Sequence, residues 1–578
     1  MNKQIIQIQR ITFYLTLFSL IVGTLSLSAQ LSVPGVPLSE QFTINNQIDT
    51  IVALLKTPEE MQTSSARLAV EREEGSFSIE TPIIGESIII NRSISECGNW
   101  IKLPNGNLIW QAVFTSPGAG AVGVLFSKYN LPKGAEVYIY NENKTKISGA
   151  FTHLNNNKYD LLNTAPVDGE TVIVELNLYN PKSFDIELEI GEIVHYYSNS
   201  KARAAERTPD EACFVSVNCS PEGDDWQEVK RGIAQMHFPY DSKRWGYCSG
   251  SLVNNTRQDG IPYFLSAFHC GGSTSAISKA KSLFFFDYEL LGCTEGDTTQ
   301  HDAKSLTGCE MIAFSEYDGG LDMLLLRINE NPPEEWKLYW NGWDFTKYAS
   351  TSGVGIHHPM PTMPNELPSV PKSIKRISTY VTPLVPMANM CTDFDDGKKC
   401  GLQNGYWAVQ WAATGSEGET TEWRHSVTAP GSSGSPLFNS KKRLVGTLTA
   451  GASSCTSPNE GDFYSRFDLQ WNYFSDPEKR LQPWLDPLNI SKGTLDGYPS
   501  SINETLITNN NSLLSWRKTD GTSVFIWQGK DGVQAEAFST TGALVGLKLF
   551  YNGENYWELP AGAVYLVRVE GEIIKVQP

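Results

Sequence analysis

Apolar residues in this chain are gathered into short runs that alternate with turn signals, and helix-period patterning is sparse. Runs at 108–114, 136–140 and 171–176 are separated by Pro132-Lys133-Gly134 and Val167-Asp168-Gly169. Further runs follow at 263–267, 283–286, 323–328 and 444–448, and the last stretch repeats the pattern at 523–527, 563–569 and 573–576. Runs this short, bounded by Gly, Pro and Asp, are strands, and strands bury their apolar faces by stacking as sandwiches or closing as barrels. The fold class expected is therefore mainly β.

At 578 residues the chain is long enough for three or four domains, and a 40% hydrophobic content gives each a core. The formal charge of −18 argues against nucleic acid as a partner, because phosphate recognition needs a basic face.

Lys3 and Arg10 precede an apolar stretch at 11–27, and Ser28-Ala29 supplies small residues for processing. Residues 1–29 read as a signal peptide cleaved after Ala29, the competing possibility being a single membrane anchor. Ten cysteines fit export, and nine of them lie between 213 and 455. An even set in an oxidising compartment indicates disulfides, and no CxxC pair has zinc spacing, so no metal site is expected.

Composition divides the remainder. Residues 30–207 hold one cysteine, Cys97, and form an all-β region with no catalytic set. The stretch Lys201-Ala202-Arg203-Ala204-Ala205-Glu206-Arg207 is a basic linker open to proteases. Residues 208–497 are rich in Cys, Trp and Gly, and 500–578 form a cysteine-free β-sandwich.

Three segments carry chemistry. In Ala429-Pro430-Gly431-Ser432-Ser433-Gly434-Ser435-Pro436, glycines on both sides of Ser433 permit a tight turn that exposes a hydroxyl. Ser433 is the candidate nucleophile, and the Gly431 and Ser433 N–H groups are candidate donors to an oxyanion. In Tyr263-Phe264-Leu265-Ser266-Ala267-Phe268-His269-Cys270, a strand delivers His269 as candidate base, and Cys270 has a possible partner in Cys248. Asp322 follows Gly319-Gly320-Leu321 and opens the apolar run 323–328; a buried carboxylate needs a partner, and orienting His269 supplies one. The order His, Asp, Ser is that of chymotrypsin-like enzymes. The paired His357-His358 and the tryptophans at 340, 343, 407, 411 and 423 read as structure, core or cleft wall.

With these segments in place, residues 208–497 resemble the bacterial lysyl endopeptidase family. The resemblance rests on Cys248 to Asn255, the His269 strand, Trp340-Asn341-Gly342-Trp343-Asp344, Gly355-Ile356-His357-His358-Pro359, Val409-Gln410-Trp411, the Ser433 loop, Ser453-Ser454-Cys455 and Trp484-Leu485-Asp486-Pro487. It implies a chymotrypsin-like double β-barrel with the site between the barrels, and the disulfides Cys213–Cys455, Cys219–Cys293 and Cys248–Cys270. Cys391–Cys400 is added outside the family pattern, which leaves Cys97 and Cys309 unassigned. The cation-binding Asp of trypsin would stand at Val427. The family places its Asp after the nucleophile, which puts Asp462 at the base of a pocket for lysine, with arginine as a further possibility. The family's His–Trp pair near Thr449 is missing here.

The tail resembles the C-terminal sorting domain of type IX secretion, on Thr541-Gly542-Ala543-Leu544-Val545 and 559–565; its rival is an ordinary substrate-binding β module. The whole is expected to be a secreted or surface-exposed zymogen: signal peptide, β-rich propeptide acting in cis, endopeptidase domain, sorting domain. Its expected partners are protein or peptide substrates and the secretion machinery, and the chemistry calls for no cofactor. Activation is expected after Arg207. The alternative from another class is a non-catalytic adhesin on a protease scaffold.

Overall fold

In a computed structural model, the chain divides into two compact units, Met1–Pro499 and Ser500–Pro578. In the first unit the structure describes residues 32–33, 35–42, 50–52, 79, 81–179, 181, 186–197, 214–293, 304–360, 375–394, 397–414, 424–454, 457 and 460–499. In the second it describes 513–517, 523–527, 530–539, 544–551, 553–557, 559, 565–569 and 572–576. Ala29, the 201–207 stretch with Arg207, and the Cys213–Cys455 pair lie outside the described residues.

The early runs become strands as their composition requires. Leu108–Thr115 is almost wholly buried and lies between Asn99–Lys102 and Thr171–Leu178 in a six-stranded sheet. Its side chains alternate between two sets of neighbours: Trp110, Ala112 and Phe114 enter a core with Val122, Val124 and Phe126 of the strand Ala121–Asn130. That second strand belongs to a different sheet, so this region is two sheets packed face to face.

The second sheet has twelve strands and does not stop at residue 207. Ile83–Ser93 pairs on one side with Glu187–Tyr196 and on the other with Arg244–Leu252, through Arg244↔Glu86 and Trp245↔Gly85. An apolar seam of Ile84, Ala121, Leu125, Val194 and Tyr196 closes against Trp245 and Tyr247. Trp245 is 1% exposed, and its indole donates to Ser87 Oγ at 2.8 Å. Fully burying one such side chain contributes on the order of 3 kcal/mol.

Beyond Arg244–Leu252 the sheet continues to Tyr263–Ser266, then Met323–Ile328, then Cys309–Ser315. On its other flank lie Ile233–Pro239, Leu283–Phe286 and Lys304–Thr307. The two ends of this path, Lys304–Thr307 and Cys309–Ser315, are joined through Gly308 alone, so the strands curl around a common core. Phe264, Phe284, Leu306, Leu324 and Leu326 fill it. A nine-stranded sheet forms the other half, with its path running Arg376–Tyr380, Gly353–His357, Pro436–Asn439, Leu444–Gly451, Asp462–Arg466, Tyr406–Val409 and Val385–Met387. The expected mainly-β fold is what the chain adopts, in this unit and in the next.

In the second unit, Leu513–Arg517, Ser523–Trp527 and Gly553–Trp557 make one sheet, and Val533–Ser539, Leu544–Phe550, Tyr565–Val569 and Glu572–Val576 make another. Phe525, Ala537, Phe550, Trp557 and Val567 share one core, the arrangement of a small sandwich.

Three disulfides form among the described residues: Cys219–Cys293, Cys248–Cys270 and Cys391–Cys400. Cys97 and Cys309 are free thiols, and burial pushes the Cys309 thiol up to about 12, so it behaves as an apolar group. Cys248–Cys270 closes a span of 22 residues between adjacent strands. In the chain-entropy picture a loop of that size stabilises by roughly 3 kcal/mol. Replacing both cysteines by alanine is expected to lower the unfolding free energy in urea by about that amount; a change below about 1 kcal/mol would show that the denatured chain is held compact by other means.

Candidate active site

His269 follows the strand Tyr263–Ser266, and Asp322 directly precedes Met323–Ile328, to which that strand is paired. The pairing Ser266↔Leu324 places the two residues at the same end of the ladder. Asp322 is fully buried and adopts φ +47, a left-handed conformation that Asp tolerates better than most residues. It grips His269 twice: Oδ1 accepts from the His269 backbone N–H at 3.0 Å, and Oδ2 lies 2.8 Å from the ring Nδ1. The Asp322 carbonyl also accepts from the Phe268 N–H at 3.2 Å. A carboxylate only accepts, so Nδ1 carries the proton and Nε2 presents a lone pair. Nε2 is buried and makes no hydrogen bond among the described residues. The Cys248–Cys270 bridge, one residue on, ties this corner to Arg244–Leu252.

Ser433 sits in the turn before Pro436–Asn439, with 8% of its surface exposed. The turn is pressed onto the His269 corner: the Ser433 carbonyl accepts from the Ser249 N–H at 2.8 Å, and the Gly431 carbonyl accepts from Ser249 Oγ at 2.9 Å. Gly434, at φ +79, has no room for a Cβ, which would strike Ser266 Oγ and the backbone of Ser249 and Ala267. Gly431, at φ +91, lies in the same way against the Tyr247 ring. Among the described residues no hydrogen bond joins Ser433 Oγ to His269 Nε2.

The two N–H groups nominated as oxyanion donors are those whose peptide planes are fixed from the far side. A trans peptide points its C=O and N–H in opposite directions, so holding one aims the other. The Pro430 carbonyl accepts from the Met360 N–H at 2.7 Å, which orients the Gly431 N–H. The Ser432 carbonyl accepts from the Ser435 N–H at 3.0 Å, which orients the Ser433 N–H. Neither the Gly431 nor the Ser433 N–H donates to any described residue. Ser249 and Met360 were invisible to the sequence reading, because a serine in a strand and a backbone amide after Pro359 carry no local signature.

Asp462 starts the strand Asp462–Arg466, opposite Gly451 and Val409, and is fully buried. Its Oδ2 accepts from Trp411 Nε1 at 2.6 Å, Thr428 Oγ1 at 2.7 Å and Ser453 Oγ at 2.7 Å. Its Oδ1 accepts from the Ser453 N–H at 3.1 Å and lies against Gly451, where a Cβ would collide with it. Among the described residues three donors crowd Oδ2 and one reaches Oδ1, so Oδ1 keeps one of its two lone pairs. Trp411, read as core or cleft wall, is 4% exposed and is a ligand of this carboxylate. Val427 is buried, and Thr449 is buried with its hydroxyl unpartnered.

Cys248, His269 and Cys270 lie close enough to suggest a metal site, but their two sulfurs are bonded to each other and offer no thiolate. No helix among the described residues is long and apolar enough to cross a membrane.

With this geometry in view, residues 209–465 match the family described as lysyl endopeptidase, C-terminal domain. A curated lysyl endopeptidase of Pseudomonas aeruginosa is 25% identical over 328 residues, which is 54% of this chain and 61% of that protein. This chain therefore spans less than two thirds of that relative's length. Among solved structures, a thermostable serine protease from an extremophilic microorganism is 12% identical over 41% of this chain and 92% of its own, with a TM-score of 0.25. Neuropsin, a serine protease expressed in the limbic system of mouse brain, is 14% identical over 45% of this chain and 96% of its own, with a TM-score of 0.28. Over its cysteine-rich region, then, the chain is similar to lysyl endopeptidases.

Proposed function

We propose that this chain is the precursor of a secreted serine endopeptidase that cleaves after lysine. The observation that carries this reading is the double grip of Asp322 on His269, which leaves a buried Nε2 lone pair with no partner among the described residues. In the proposed reaction, His269 Nε2 takes the proton of Ser433 Oγ as that oxygen bonds to the scissile carbonyl carbon. The carbonyl oxygen becomes an oxyanion facing the Gly431 and Ser433 N–H groups. His269 then hands the proton to the departing amine, the carbon–nitrogen bond breaks, and an acyl-enzyme remains. Water, deprotonated by the same nitrogen, releases the acid and restores Ser433. Asp322 keeps the imidazole in one tautomer and stabilises its cation.

Asp462 is read as the lysine anchor. Its remaining Oδ1 lone pair suits a compact ammonium, which also has donors to spare for nearby carbonyls. A guanidinium is wider and would leave buried donors unpaired, at about 1–3 kcal/mol each.

The region before residue 207 is read as a propeptide acting in cis. In support, its strand Ile83–Ser93 is built onto Arg244–Leu252, and the Tyr247 N–H donates to the Pro82 carbonyl at 3.2 Å. Just upstream, Ile79 packs against an apolar cluster that includes Ala450 and Phe463, the neighbours of Gly451 and Asp462. Ile79 thus packs on the sheet that carries Asp462, on the face that Phe463 presents. Cleavage after Arg207, export after removal of 1–29, and recognition of the C-terminal sandwich by type IX machinery complete the proposal.

Three outcomes are expected. Ser433→Ala removes both turnover and labelling by a fluorophosphonate, with turnover falling about 10⁶-fold, and Asp322→Asn lowers kcat about 10⁴-fold by allowing the wrong tautomer. Labelling at another serine, or none in the processed wild type, would favour the adhesin alternative. On matched peptides, kcat/KM for lysine is expected to exceed that for arginine by roughly tenfold to a hundredfold, and Asp462→Asn to erase most of the lysine rate; equal rates on both would defeat the preference. In the unprocessed chain, Ile79→Asp is expected to speed fluorophosphonate labelling about tenfold by ejecting one apolar anchor; an unchanged rate would remove Ile79 from the latency mechanism.

A further inference from the structure

We propose that His357 is a positioning residue for this reaction, holding Ser432 so that the 429–433 turn keeps both oxyanion N–H groups in place; the inference rests on Ser433 being the nucleophile. His357 ends the strand Gly353–His357 and is fully buried, with both ring nitrogens engaged by serine hydroxyls. Nδ1 lies 2.8 Å from Ser432 Oγ, and Nε2 lies 2.8 Å from Ser378 Oγ. Ser378 Oγ lies 3.1 Å from Ser426 Oγ, which accepts from the Val215 N–H at 3.4 Å. Ser432 Oγ itself accepts from the Ala429 N–H at 3.2 Å.

One neutral tautomer meets these contacts in a single direction. If Ser432 donates its hydroxyl hydrogen to Nδ1, its oxygen is free to accept from Ala429, and Nε2–H donates on to Ser378, which donates to Ser426. The Ser426 hydroxyl hydrogen is then the one without an acceptor among these groups. Burial first, and the nearby Arg376 second, push the His357 imidazole down to about 3, so it stays neutral at ordinary pH. A neutral His can act here as a two-sided connector: it accepts from the nucleophile turn and donates to the sheet behind it.

The connection matters because of where Ser432 stands. Its carbonyl belongs to the peptide that carries the Ser433 N–H, and its backbone N–H donates to the Ala429 carbonyl at 2.9 Å. Ser432 therefore closes the turn through both its backbone and its side chain, and His357 is the group that ties this closure to Arg376–Tyr380 across the pairing His357↔Arg376. The same segment reaches the turn twice more: the His358 N–H donates to Ser249 Oγ, the hydroxyl that holds the Gly431 carbonyl, and the Met360 N–H holds the Pro430 carbonyl. A purely space-filling role would not require serine hydroxyls within hydrogen-bond distance of both ring nitrogens.

The test uses the full-length chain after cleavage in the 201–207 stretch, with Ser432→Ala, His357→Leu and their double variant, and with His357→Asn beside His357→Gln. Losing one oxyanion donor outright costs about 10²–10³ in kcat, so a turn that merely loosens is expected to lose roughly tenfold to a hundredfold. The expected result is that loss in kcat for Ser432→Ala and for His357→Leu, with KM within about threefold, and a double variant no worse than the poorer single one. His357→Asn, which keeps an acceptor near the Nδ1 position, is expected to retain more kcat than His357→Gln. Folding is checked by circular dichroism, and Ser432→Ala, which deletes a single oxygen, carries the test if His357→Leu does not fold. Folded variants with unchanged kcat, or single losses that multiply in the double variant, would overturn the inference while Ser433 labelling in the parent still stood. A parent not labelled at Ser433 would overturn the nucleophile reading and this inference with it.

Discussion

A carboxylate with no access to water is tolerable only when its oxygens are met by donors, and Asp322 meets that condition through one neighbour, His269. The requirement reaches outward. The donors are the backbone and ring of a single residue, so the corner that carries His269 is fixed relative to the start of Met323–Ile328. That in turn depends on the ladder between Tyr263–Ser266 and Met323–Ile328 keeping its register. A shift of one residue would exchange Leu324 and Leu326 with Met323 and Leu325 between two differently shaped cores and carry Asp322 away from the imidazole at the same time. The apolar core and the polar corner therefore enforce the same alignment.

Arg244–Leu252 is the element through which the other parts communicate. One edge is taken by Ile233–Pro239, the other is shared by Ile83–Ser93 of the early region at its start and Tyr263–Ser266 at its end, and its Cys248 is bonded to Cys270. Midway along it, Ser249 donates from both backbone and side chain to the turn that carries Ser433. The early region is thus attached to the same strand that supports the turn. Removing it would expose Trp245 and Tyr247, and Tyr247 is the ring against which Gly431 rests. That arrangement links the early region to the turn of Ser433 through one strand.

Two buried acids illustrate different uses of the same chemistry. Asp322 spends one oxygen on the His269 backbone N–H and the other on its imidazole, whereas Asp462 is surrounded by Trp411, Thr428 and Ser453. Three of the four donors to Asp462 converge on Oδ2, which orients the group and leaves Oδ1 with capacity beside Gly451. Preorganisation of this kind lowers the cost of receiving a cation, since the carboxylate has little rotational freedom left to lose.

Much of this was written in local sequence. Strand-length apolar runs set the β class, the Gly-Ser-Ser-Gly turn nominated Ser433, and an Asp opening an apolar strand nominated Asp322 because burial of a charge demands a partner. Cys248–Cys270 was legible because Cys270 sits beside the candidate base, Cys219–Cys293 came with the family resemblance, and Cys391–Cys400 was added outside that pattern. The tertiary structure alone decided that Ile83–Ser93 would join the sheet of Arg244–Leu252, that Ser249 and Met360 would hold the turn of Ser433, and that His357 would meet Ser432. These are contacts between segments tens to hundreds of residues apart, made by serines, amides and a histidine that could serve anywhere. A hydrogen bond leaves a trace in sequence when its partners are close along the chain or chemically unusual; when they are distant and ordinary, only the folded backbone brings them together.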